Sequence, residues 1–171
     1  MARWWNRLLS AFYSRLPSLP ERHGTKRASR SQDIPQPPLA VLRKPLREAR
    51  VAVVTAGGVH LATQPPFDMH DPEGDGSFRV IPKDVDVRDL RITHDYYDHG
   101  AADRDVNCVF PIERLREFVT AGEIGEVAPR HIGMMGHLEG AQAERLVGTS
   151  APAIADVFRA DQVDLVLAVP G

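Results

Sequence analysis

Val163–Val169 reads V-D-L-V-L-A-V and is followed by Pro170 and Gly171; the fold is decided by how this stretch is read. A short apolar run rich in β-branched residues and closed by a Pro-Gly turn has the pattern of a parallel-type strand buried on both faces. In open α/β sheets, the loops just past the carboxyl ends of such strands are where ligands bind and chemistry is done. The sequence stops at that point. Either the domain ends unusually there, or the reading frame is cut short of an active-site position.

A second run of the same type, Arg50–Thr55 (R-V-A-V-V-T), opens the body of the chain, and Ala56-Gly57-Gly58 supplies the turn behind it. Two glycines do not make the G-x-G-x-x-G spacing of a phosphate cradle, and no helical pattern follows them. Residues 78–81 and 90–93 read as short strands. Pro111 opens a helix that carries Ile112, Leu115, Phe118 and Val119 on one face and is stopped by Gly122. Val127–Ile132 reads as a further strand despite Pro129, and Leu138–Val147 as a helix. Ser150 and Pro152 read as the start of another helix, which leads through Ile154, Val157 and Phe158 into the last strand. Strands alternating with helices imply an α/β fold, a three-layer sandwich with a mostly parallel sheet spanning residues 46–171. Within it, Gln64–Phe78 forms a long Pro-, Gly- and acid-rich loop, a length expected of a functional or mobile segment.

The 171 residues are 43% hydrophobic and 26% charged, which suits one globular domain and excludes a disordered chain. The charge is unevenly spread. Residues 1–50 hold eleven Lys/Arg against three acids, and the remaining 121 hold ten against twenty. A basic arm on an acidic body points to docking on its own body or a partner subunit. No nucleic-acid partner is expected, because no aromatic residues alternate with the bases as in a recognition module. Within the arm, Trp5, Leu8, Leu9, Phe12 and Leu16 recur at helical spacing, with Arg3, Arg7 and Arg15 as a polar flank. Residues 1–16 are thus expected to form an amphipathic helix, packed on protein or touching a membrane surface peripherally, with disorder as the third reading. Six prolines between Pro17 and Pro45 make residues 17–45 an extended linker. The N-terminus lacks the apolar core and cleavage site of a signal peptide, and no stretch has the length of a membrane span. The lone Cys108 excludes an internal disulfide framework, so the cytoplasm is the expected location.

Chemically, the densest segment is Thr93–Cys108, T-H-D-Y-Y-D-H-G-A-A-D-R-D-V-N-C. Its two histidines and four aspartates can hold a metal, position an amine or act as general acids and bases. They can equally form a structural network of capped turns. The opening T-H-D-Y-Y-D-H approaches the T-H-x-H-x-D-H zinc motif of metallo-β-lactamase-like hydrolases, but Tyr96 stands where the second histidine belongs, and no metal site is assigned. Cys108, beside Val109-Phe110-Pro111, reads either as inert packing or as a thiol activated by a helix N-terminus. Arg130–His137, R-H-I-G-M-M-G-H, either brings backbone close to a ligand or forms a turn with Met as core filler.

Several blocks in order carry a resemblance: V-A-V-V-T-A-G-G-V-H-L at 51–61, Q-P-P-F-D-M at 64–69, G-S-F-R-V-I-P at 76–82, T-H-D-Y-Y-D-H at 93–99, D-V-N-C-V-F-P-I-E-R-L-R at 105–116 and A-P-R-H-I-G-M-M-G at 128–136. Over about residues 45–171 the chain resembles the selenoprotein B subunits of glycine/sarcosine/betaine reductase and D-proline reductase. The resemblance implies an oxidoreductase subunit that takes part in reductive cleavage of a carbon–nitrogen bond, with a dithiol as reductant. It implies a selenocysteine or cysteine directly after the strand matching Val163–Val169, usually as U-x-x-C, and hence a UGA codon after Gly171 read as a stop. It further implies an oligomer with a pyruvoyl-containing partner subunit or a thiol/selenol carrier protein. No catalytic residue of this chain is carried over. His94, Asp95, Asp98 and His99 are expected to line the substrate site, since their loop can lie at the same sheet edge. The competing readings are a binding or regulatory homologue without the redox centre and a metallohydrolase with a degenerate ligand set.

Overall fold

A computed structural model describes residues 40–171. The expected helix 1–16 and most of the linker lie outside the described residues. The chain divides into two compact units, one of residues 1–41 with 95–98 and the other of residues 42–94 with 99–171. Of the first, the described residues include Asp95, which is buried, and Asp98, which is exposed.

The second unit is α/β, as expected. Its strands are β1 (Arg50–Thr55), β2 (Val59–Leu61), β3 (Phe78–Pro82), β4 (Leu90–Ile92), β5 (Glu126–Val127), β6 (Arg130–Met134) and β7 (Leu165–Val169). The helices are α1 (Ile112–Thr120), α2 (Gly140–Arg145) and α3 (Ala151–Ala160). β1 is the hub of a five-stranded, mostly parallel sheet. On one side it pairs with β7 along its length, from Val51↔Leu165 to Thr55↔Val169. On the other it takes β5 at Arg50 and Val51, then β6 at Val54 and Thr55. β3 closes that side, antiparallel to β6. β2 and β4 form a separate antiparallel pair.

β5 and β6 are one strand interrupted at Pro129, and the interruption has a repair. Ala128 N–H still donates to Val51 O at 2.9 Å, and Pro129, which has no N–H, offers its carbonyl outward to Lys83 N–H at 2.9 Å. Val53 N–H then donates not to a main-chain carbonyl but to His131 Nδ1, at 3.0 Å. The core around this join is Val53, Ile81, Phe110, Ile112, Ile132 and Met135, all fully buried. β2 crosses so close to β6 that a Cβ on Gly133 would lie 1.9 Å from Val59 O.

Two sequence expectations change. β7 is not buried: Leu165, Val166 and Leu167 are each about 40% exposed, because among the described residues β7 pairs with β1 alone. Ser150 is not a helix cap. The chain runs from α2 through a π-turn, Leu146–Ser150, into α3, Ser150 has helical backbone angles, and its hydroxyl donates to Gly76 O at 2.6 Å. Pro152 lies in the first turn of α3, and its missing N–H gives the widened turn a physical reason.

The 64–77 loop is pinned rather than loose. Asp75, buried, accepts from the N–H groups of Asp68 and Ser77 and from the Ser77 hydroxyl. Arg79 donates to Pro65 O and Pro66 O and lies over the Phe67 ring at 4.4 Å. Burial alone would raise the Asp75 pKa; the Ser77 hydroxyl, the Asp68 and Ser77 amides and Arg79 reverse this and hold it below the ordinary value. The same loop caps α2: Glu73 Oε2 accepts from Ala141 N–H at 2.9 Å, and Gln142 bridges Gly76 N–H and Asp71.

Candidate functional site at the carboxyl edge of the sheet

β1, β6 and β7 run parallel, so their carboxyl ends deliver three loop starts to one edge: Ala56-Gly57-Gly58, Met135-Gly136 and Pro170-Gly171. Ala56 N–H donates to Val169 O and Gly58 N–H to Met134 O, both at 2.9 Å, and Gly57 bridges to Met135. The Ala-Gly-Gly turn is thus laced to both neighbours and leads into a strand, β2, not into a helix; its glycines serve close packing rather than phosphate binding. Gly58 needs its freedom: φ is +72°, and a Cβ there would lie 2.4 Å from Thr93 O. A Cβ on Gly136 would stand 3.1 Å from Ala56 O, and one on Gly171 3.0 Å from the same atom. The ends of β6 and β7 therefore flank a single carbonyl.

His94 completes this edge. It is buried, and its Nε2 accepts from Gly136 N–H at 3.3 Å. That bond fixes Nε2 as an acceptor, so the neutral ring carries its proton on Nδ1. One glycine amide thus chooses the tautomer of a histidine beside the end of β7.

His99 takes a different place. Its Nδ1 stands 2.8 Å from Asp103 Oδ2, without the alignment of a hydrogen bond. Asp95 and Asp98 belong to the other compact unit. Of the four expected substrate-site residues, His94 is the one placed at the carboxyl edge within the larger unit. Among the described residues no three His, Cys, Asp or Glu side chains gather as metal ligands, and the His94 lone pair that a metal would use is taken by Gly136. Cys108 lies exposed in a 3-10 turn capped by Asp105. His137 Nε2 donates to Pro72 O, 3.0 Å away, as part of the junction with the 64–77 loop. Pattern reading placed Gly171 in the turn behind the last strand and Gly136 in a stretch that either brings backbone close to a ligand or forms a turn, and gave neither a place in the site. Their only signal was their position one or two residues beyond an apolar run.

The family profile described as glycine/sarcosine/betaine reductase selenoprotein B matches residues 30–169. The chain belongs to this family. The selenoprotein B match takes in all the strands of the edge just described. D-proline reductase subunit gamma of Acetoanaerobium sticklandii is 38% identical over 137 residues, which cover 80% of this chain and 54% of that protein. The chain thus spans about half the length of this relative. No solved structure matches it. Among the described residues no helix is long and apolar enough to cross a membrane.

Proposed function

We propose that this chain is the scaffold half of a selenol- or thiol-dependent reductase subunit that cleaves a carbon–nitrogen bond in glycine, sarcosine, betaine, D-proline or a related amine. The observation that carries the reading is the junction of family and edge. The family match takes in β1, β6 and β7, and the carboxyl end of β7 meets a turn whose carbonyl also flanks Gly136, the partner of His94.

The nucleophile belongs immediately after Gly171. A selenol is ionised at neutral pH, whereas an unperturbed thiol, with a pKa of about 8.5, is mostly protonated. The selenolate forms a bond to the carbon bearing nitrogen; that carbon–nitrogen bond breaks, and nitrogen leaves with the electron pair and a proton. A thiol then attacks selenium, the carbon takes a proton as the reduced product, and a second thiol closes a disulfide, restoring the selenol. A pyruvoyl group on a partner subunit supplies carbonyl chemistry that activates an amino substrate. On this side, the missing side chains at Gly136 and Gly171 let the ends of β6 and β7 close on Ala56 O. His94 orients the edge through Gly136.

The test is the messenger beyond the Gly171 codon, together with the intact mass of the protein from its native host. A UGA codon, a continuing frame with cysteine three positions later and one selenium per chain are expected. A 171-residue product without selenium would overturn the reductase reading and leave a binding subunit that shares the scaffold.

A further inference from the structure

A cleft between β4 and the turn at residues 101–106 is lined by none of the residues just described at the carboxyl edge and has a volume of about 550 Å³. That is within the range of pockets that hold small organic ligands. Its lining mixes apolar groups, among them Leu90, Ile92, Ala102 and Val106, with charged ones of both signs.

The carboxylates in its wall are already engaged. Asp103 faces His99 Nδ1 at 2.8 Å. Asp105 accepts from Asn107 N–H and Nδ2, and Glu113 accepts from the same amide nitrogen at 2.7 Å. Arg88 is held by both oxygens of Asp86. Two cations remain. Arg91 donates through Nη1 to the carbonyls of Arg88 and Leu90, at 2.8 and 2.7 Å, and has no carboxylate partner among the described residues. This fixes its guanidinium while leaving other N–H groups unspent. Arg104 makes no side-chain hydrogen bond or ion pair among the described residues.

We propose that this cleft binds a small aliphatic carboxylate, with Arg91 and Arg104 on the carboxylate and the Leu90–Ile92–Val106 wall against the chain. A planar monoanion suits guanidinium forks, and an aliphatic body suits the wall. A dianion such as phosphate is disfavoured by the three carboxylates that share the lining. Its lining shares no residue with the carboxyl edge, and the proposal does not depend on the reductase reading.

The experiment is a titration of the full chain with pentanoate, followed by ligand-observed NMR, with inorganic phosphate as competitor. Saturable binding is expected, weakened at least about tenfold in Arg91→Gln and in Arg104→Gln, the scale of one lost charge-assisted pair. Arg104→Gln is the decisive variant, because Arg104 holds nothing else in place and its loss should leave the unfolding midpoint unchanged. Arg114→Gln, which removes an exposed pair with Glu117 on α1, should bind as the parent does. Absence of saturable binding overturns the proposal. So does equal weakening in Arg114→Gln, which would mean diffuse charge attraction. Displacement of pentanoate by phosphate at lower concentration overturns it as well, making the cleft a general anion site.

Discussion

His131 is fully enclosed, and its imidazole stands in for the main-chain acceptor that the break at Pro129 removes. Accepting from Val53 N–H requires an unprotonated Nδ1, and burial pushes the pKa down to about 4, Arg116 adding to it. With a folded-state pKa below the ordinary 6.5, the unfolded chain binds the proton more tightly. The stability from neutral His131 is therefore complete above about pH 6.5 and is lost as the pH falls toward 4, by about 3 kcal/mol at most. Urea unfolding at half-unit pH steps should show this slope, and His131→Val should flatten it. The same variant leaves Val53 N–H unpaired and should cost about 2 kcal/mol at pH 7. Glycines give a sharper contrast. Gly133→Ala places a methyl 1.9 Å from Val59 O, a rigid backbone atom, and should cost at least about 3 kcal/mol or prevent folding. At Gly148 a Cβ would meet nothing within 4 Å, and Gly148→Ala should stabilise the π-turn region by about 0.5 kcal/mol. Thermal melts of the pair would check both signs.

Among the elements, α2 depends on a carboxylate from far along the chain. Glu139, at its N-cap position, makes no side-chain cap, and Glu73 accepts from Ala141 N–H instead. Glu73→Ala should cost about 1 kcal/mol and raise amide exchange at Ala141 while leaving α1 protected. An outcome in which both helices exchange alike would mean that the loop holds the whole unit, not the cap. The elements that local pattern reveals were legible in the sequence. β1 is a continuous β-branched run, and α1 has Ile112 and Leu115 on its buried face. β2 was not legible, because V-H-L is three residues long and carries no period. Ser150 misled for a physical reason: a hydroxyl before a proline signals a cap, but here it is drawn to Gly76 O across the fold. At the site, the place of His94 just after β4 could be read as a loop position. Its partner Gly136 could not, since a main-chain amide has no sequence signature.

For the whole molecule, burial of β7 was the expectation that pattern could not decide. An apolar strand shows what it needs, and its exposure depends on what stands against it. Its root is well held: Asp164 accepts from Arg50 N–H and pairs with Lys44, both at 2.8 Å, and these contacts lower its pKa, the Arg50 amide most. Beyond that root, Leu165–Val169 has no charge and no proline to guard the edge that is unpaired among the described residues. The chain should self-associate as its concentration rises, and Leu167→Lys should weaken that association at least about tenfold. Sedimentation velocity over a concentration series measures it. A monomer at all concentrations would show that the edge is protected by other means.

Among the described residues, β1 is the first long strand to be made and the one every parallel pairing depends on. Arg50 waits 76 residues for Glu126 and 114 for Asp164. At about 5 to 20 residues per second, a ribosome leaves this apolar strand without partners for several seconds, and no local hairpin can shelter it meanwhile. Newly made chains should therefore lean on holding chaperones during synthesis, and slowing translation between codons 56 and 125 should lower the soluble yield without changing the stability of the molecules that succeed in folding.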